Sequence, residues 1–303
     1  MNPKKLKLTL PFLVALAYGP DLALALPILG PDLASFTVLG AETVTNVPTS
    51  VIVGNVGVWP GTALPGFNWL LNTATSDPQV TGGLVHSNTP QAFSAQAQLT
   101  TARLNLDSLG AGTLLGADLT LAGPLVPGVY TVPYGITNLS ASLTLDGGGN
   151  ANAAWVFQMV DSLITSSGSS VNVINTGSGA GVYWNVRSSA TIDTTTAFMG
   201  NILALTSIRM NTGATDLCGR ALADNGEVTL QMNKLSGVCA GELAGSNGLS
   251  GGLDVTTTPQ GTQVVSFLPF APVGTVPEPA TLSLLGLGLF GLLASRLRRP
   301  ASL

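Results

Sequence analysis

Between residues 90 and 109 the apolar positions Ala92, Ala95, Leu99, Ala102, Leu106 and Leu109 recur at alternating steps of three and four, which draws one stripe down a helix. Thr89 suits the N-cap, Pro90 the first helical position and Gly110 the C-terminal stop. So much alanine in the stripe predicts close packing against a flat neighbour. Elsewhere the apolar residues alternate or run in short blocks, FTVL, VIVG, DLTL, VYTV, SLTL, AWVFQMV, SVNVIN, VYWNV, LTSIRM and EVTLQM, with Gly, Pro, Asn and Asp between them. These are strand signals. The pattern predicts a mainly β chain with one long helix and leaves a sandwich, a barrel and a parallel solenoid open, since no strict repeat is visible.

Both ends break the pattern. Lysines at 4, 5 and 7, an apolar run from Leu8 to about Ala17, and Ala23-Leu24-Ala25 follow in the order of a secretory signal peptide, with cleavage expected after Ala25. At the other end Ala280 to Ser295 is apolar and Arg296, Arg298 and Arg299 follow it directly, a candidate transmembrane segment with a cytoplasmic stop. Together with Pro277-Glu278-Pro279 this tail resembles the PEP-type C-terminal sorting signal of Gram-negative bacteria, which implies recognition and removal by a membrane sorting protease. The expected organisation is a signal peptide at 1–25, a β domain at 26–270, and a linker with the sorting tail at 271–303. The implied location is secreted or on the cell surface.

Charge narrows the function. Between the two ends, Arg103, Arg187, Arg209, Arg220 and Lys234 stand against thirteen acids, a net −8. No basic patch can form to neutralise phosphates, which excludes nucleic acid as a partner. Cys218 and Cys239, 21 residues apart in an exported chain, fit one disulfide better than a metal site, which needs more ligands. Catalytic signals are scarce. His86 is the sole histidine and has no nucleophile signature beside it. GLSGG at 248–252 lacks the strand before it and helix after it that a nucleophile elbow needs, and GLGLFG at 286–291 lies in the apolar tail. The carboxylates are spread singly. The chain reads as a non-enzyme, with no cofactor implied.

Five blocks carry a further resemblance: SFTVLGAETVTN at 35–46, VIVGNVGVWPGTALPGF at 51–67, PGVYTV at 127–132, LTLDGGGNANAAWVFQM at 143–159 and FMGNILALTSIRMNTGATDLCGRALA at 198–223. In this order they resemble the ice-binding protein family of polar bacteria, sea-ice algae and snow-mould fungi. The resemblance implies a discontinuous right-handed β-solenoid of triangular section with one long α-helix along a face, and adsorption to ice through a flat Thr-rich face. Some members carry Thr, Ala or Gly, any residue, then Thr or Asn on that face. Thr212-Gly213-Ala214-Thr215 fits it fully, Thr62-Ala63-Leu64-Pro65 only in its first half. NTGAT also reads as a plain turn. Thr194 and Thr196 would share one strand face by alternation. The expected ice-facing set is therefore Thr62, Thr194, Thr196, Thr212 and Thr215, with the ice surface as partner. The alternative is a structural or adhesin-like protein of the extracellular polysaccharide matrix.

Overall fold

The structure, a computed structural model, describes residues 26–274. It is mainly β. Most strands pair in parallel with strands from preceding and following turns of the chain, in three ladders that each coil visits in order. The coil that begins at Gly128–Val132 passes through Ile136–Leu139 and Ser142–Asn150, and the next repeats this with Ala154–Met159, Ser162–Thr165 and Ser170–Thr176. The register is direct: Tyr130 pairs with Phe157, Thr137 with Leu163 and Leu143 with Val171. Strands of successive coils lie about 4.8 Å apart.

The stack is not in chain order. Phe36–Gly40 pairs in parallel with Asn55–Val58 on one side and with Thr215–Ala223, from the far part of the chain, on the other. The coils of residues 36–87 thus extend the stack beyond the coil that ends at Lys234–Ser236. The chain must then return along the stack to start again at Thr113–Leu114, and the helices provide the path. A short helix α1 (Pro31–Ser35) packs beside α2 (Pro90–Asp107), whose eighteen residues span about 27 Å. From Val85–Ser87 to Ala154–Met159 the first ladder has six steps, about 29 Å, and α2 bridges them. The Thr89 hydroxyl caps its start, accepting from Ala92 N at 3.2 Å, and Gln158 Nε2 donates to Leu106 O near its end at 2.9 Å.

The predicted stripe faces that ladder. Ala92, Ala95, Leu99, Ala102 and Leu106 are fully buried and share a cluster with Phe36, Leu39, Val156, Tyr183, Leu203 and Leu222. Alanine lets the helix approach the pleated sheet closely, while Leu99 and Leu106 fill the hollows, each worth about 1.5–3 kcal/mol of burial. On the inward side, Tyr130, Phe157, Trp184 and Phe198 stack with centroids 4.1–5.6 Å apart. First-ladder strands are therefore buried on both faces, as all six positions of Ala154–Met159 and of Gly181–Val186 are.

Two buried cations tie the stack together. Arg103 on α2 meets Asp224 at 2.9 Å. Arg220, wholly buried, donates to Ala34 O at 2.7 Å, Asn201 Oδ1 at 2.8 Å and Asn247 Oδ1 at 2.9 Å. It thereby joins α1 and the segment after Lys234–Ser236 to the coils between them. Burial lowers its pKa to about 10, so it stays charged. Neighbouring Asp216, whose carboxylate oxygens are buried without a hydrogen-bond partner, is pushed up by burial against the pull of Arg220. Cys218 and Cys239 are disulfide-bonded. Leu26–Pro27, Leu253–Thr257 and Gln263–Phe267 form a separate small antiparallel sheet. The signal-peptide segment and the apolar tail lie outside the described residues, and among the described residues no helix is long and apolar enough to cross a membrane.

Candidate functional site

With the first ladder covered by α2, two ladders face solvent, and both alternate inward apolar with outward residues that are mostly small or polar, Ile164, Leu217 and Val51 being exceptions. In the second, Val44, Val228, Ile208, Ala190 and Leu163 point in. Outward stand Thr45, Thr229, Arg209, Thr191 and Ile164, with Thr43 and Glu227 beside them. Arg209 is exposed in mid-ladder. The Glu227 carboxylate accepts from Thr229 at 3.3 Å and Thr43 at 3.4 Å, so two threonine hydroxyls are already occupied.

The third ladder is smoother. Ser142, Ser170, Ala197, Thr215, Lys234 and Val51 pair in sequence along one outward column. Leu143, Val171, Phe198, Leu235 and Ile52 lie behind them in the core, with Asp216 in the same inward column. The four positions from Ser142 to Thr215 hold nothing larger than threonine. A second outward column includes Thr144, Asn172, Leu217 and Ser236. The columns are about 6.6 Å apart along the strands and repeat about every 4.8 Å across them, giving a grid set by backbone pairing.

NTGAT lies at the corner where the second ladder passes into the third. Residues 211–214 turn the chain, with Gly213 at φ +71°. Thr215 opens the third-ladder strand, half-buried, and Thr212 is exposed with its hydroxyl 3.3 Å from Gln231 Oε1. Backbone bonding continues round this corner: Gly168 N donates to Thr194 O, Thr195 N to Thr212 O, and Gly213 N to Gln231 O. Thr194 and Thr212 therefore stack in adjacent coils, and the structure brings Thr194, Thr212 and Thr215 together.

Two expected residues fall elsewhere. Thr196 is fully buried, its hydroxyl 3.0 Å from Thr165 Oγ1 and donating to Ser166 O at 3.1 Å. Alternation failed because residues 193–196 form a corner between strands, with Thr195 at φ +56°. Such a corner turns Thr196 into the core, where it closes an internal hydroxyl network with Ser169. Thr62 is exposed, but Ala63 after it bridges to Thr43. It thus leads into the second ladder, at a different corner from NTGAT.

Asp193 holds the NTGAT corner. Its carboxylate accepts from Asn211 Nδ2 at 2.8 Å and Thr194 N at 2.7 Å, which lowers its pKa. His86 plays a structural part: it is buried, edge-on to Phe36, with Nδ1 3.1 Å from the capping Thr89 hydroxyl. Burial lowers its pKa and favours the neutral ring. Ser250 in GLSGG donates its hydroxyl to Asn247 O at 2.6 Å. Among the described residues no cluster of His, Cys, Asp and Glu is arranged to hold a metal.

Comparison with known proteins agrees with this architecture. Residues 38–236 match the model of the ice-binding-like family, and residues 275–299 match the PEP-CTERM protein-sorting motif, which indicates export to the cell surface or beyond by Gram-negative sorting machinery. The chain is 39% identical over 265 residues to an ice-binding protein of Nostoc sp. (strain HG1), covering 86% of this chain and 83% of that one. It is 32% identical over 221 residues to an ice-binding protein of Flavobacterium frigoris (strain PS1), covering 67% and 74%. Among solved structures, an ice-binding protein from an Antarctic biological consortium superposes with a TM-score of 0.60 at 32% identity, over 70% of this chain and 91% of that one. One from the Antarctic ascomycete Antarctomyces psychrotrophicus gives 0.58 at 32% identity, over 70% and 98%. Family model, relatives and β-solenoid-like neighbours converge, and the chain belongs to the ice-binding-like family.

Proposed function

We propose that the exported protein adsorbs to ice through its third ladder and halts crystal growth or recrystallisation between bound molecules. The observation that carries this reading is the outward column Ser142, Ser170, Ala197 and Thr215, small side chains held in register on an uncovered ladder. β-Branching restricts the Thr rotamer, its methyl orders nearby water and its hydroxyl can hold that water. Charged groups would hydrate in their own geometry: the column from Ser142 to Thr215 carries none, with Lys234 standing next beyond it, whereas the second ladder has Arg209 in mid-ladder and Glu227 beside it. Thr194, Thr212 and Thr215 form the corner edge of this surface. The coil is right-handed and triangular in section, with α2 on the face turned from ice.

Ice recrystallisation inhibition by the exported protein tests the reading. The expected result is crystals that stay small at micromolar protein. Crystals that coarsen as in buffer would sink it in favour of a structural or adhesive matrix role. The leader is removed after Ala25, and the sorting protease cuts near Pro279. Mass spectrometry of the surface form should then find no Leu303, whereas a retained C-terminus would mean a permanent anchor.

A further inference from the structure

At one end of the stack, three corners joining the first ladder to the second, residues 41–42, 59–60 and 224–225, lie over one another beside the N-terminal half of α2. Between corners and helix is a cleft of about 580 Å3. One wall is aromatic: Trp59 and Phe93 meet edge to face with centroids 4.7 Å apart, and Phe93 keeps 51% of its surface in solvent. On the rim, Glu42 and Asn225 are exposed, and their side chains make no hydrogen bond or ion pair among the described residues.

Gln96 forms the floor. Gln96 is 4% exposed, and its Nε2 donates to Ala223 O at 3.0 Å and Asp224 O at 2.6 Å, but its Oε1 is buried without a partner. That oxygen is sealed from solvent, so Gln96 anchors the helix to residues 223 and 224 beneath the cleft and offers no acceptor to a bound molecule. Asp224, also on the cleft, is already held by Arg103 at 2.9 Å and Thr100 at 2.7 Å.

An apolar ring face with a free carboxylate and amide at the rim suits a ligand with C–H groups on one face and hydroxyls around its edge. We propose that this cleft binds a neutral polysaccharide, with one pyranose ring packed on Phe93 and its hydroxyls donating to Glu42. Glu42 and the net charge of −8 between the two ends disfavour polyanionic chains. The cleft sits at the corner of the first two ladders, away from the third, so polymer and a crystal surface could be held together. The site does not depend on ice being the third ladder's partner.

Affinity electrophoresis of the exported protein in gels containing dextran, galactomannan or alginate tests this. Retardation by dextran or galactomannan but not by alginate is expected. Phe93→Ala should weaken it at least tenfold, while Phe270→Ala, at a site outside the cleft, leaves it unchanged. Recrystallisation inhibition by Phe93→Ala should match the native protein. If Phe93→Ala lowers the melting temperature, Glu42→Ala on the exposed rim replaces it, with weaker retardation again expected. Native migration in both neutral gels, stronger retardation by alginate, or undiminished binding by the variants would overturn the proposal.

Discussion

The first and third ladders are built from the same coils by the same parallel pairing, yet their sequences look different. Ala154–Met159 is buried at every position because α2 covers its outer side. Ser142–Asn150 alternates exposed, buried and half-buried from Ser142 onward because nothing comparable covers it. An outward position therefore holds Val156, Tyr183 or Leu203 where it meets the helix, and Ser, Ala or Thr where it meets solvent. All three ladders line the inner core, the helix gives the first a second buried face, and the outward face of the third is free to be selected for what it touches.

The largest test of that contrast is Leu99→Asp. It buries an unpaired carboxylate against the first ladder and should cost about 3–5 kcal/mol, read as a lower midpoint in denaturant. A midpoint within error of the native one would mean that the helix is not docked there. Thr196→Val keeps the shape but removes the hydroxyl between Thr165 and Ser169. A loss of about 1–2 kcal/mol is expected, whereas unchanged stability would return Thr196 to the surface.

The smallest effect concerns Asp193. Its donors stabilise the carboxylate, so its folded pKa lies below the unfolded value. The stability it contributes is present above the unfolded pKa and is lost as pH falls through the lower folded one. In an NMR titration it should ionise below the ordinary aspartate range, and Asn211→Ala should move it back up. An ordinary value in the native protein would mean that the corner is open in solution.

Much of the fold was legible. The stripe from Ala92 to Leu106 read directly as α2, which ends at Asp107 instead of 109 because its C-terminal turn closes through Ser108 and Gly110. Strands such as AWVFQM and VYWNV announced burial on both faces by their unbroken apolar runs. Corners were harder. TIDTTT looks like a strand by composition, but the turn at Asp193–Thr196 depends on neighbouring coils, whose contacts no local period records. The burial of Arg220 was equally hidden, since its acceptors come from residues 34, 201, 237, 247 and 248. The small and apolar residues around it in LCGRALA were the available hint. The discontinuous order of the stack follows from pairing between residues 38–39 and 221–222, a contact that alternation does not encode and that only the family resemblance implies.

The most direct test of the ice-facing assignment compares one substitution on the two uncovered ladders. Thr215 on the third and Thr229 on the second are both half-buried outward threonines. Replacing either by Tyr should move the melting temperature little, since such sites tolerate a change of size. Measured side by side, Thr215→Tyr should lose most of the thermal hysteresis and recrystallisation inhibition, while Thr229→Tyr keeps both. The reverse pattern, with activity lost in Thr229→Tyr and kept in Thr215→Tyr, would contradict the account and move the ice surface to the second ladder.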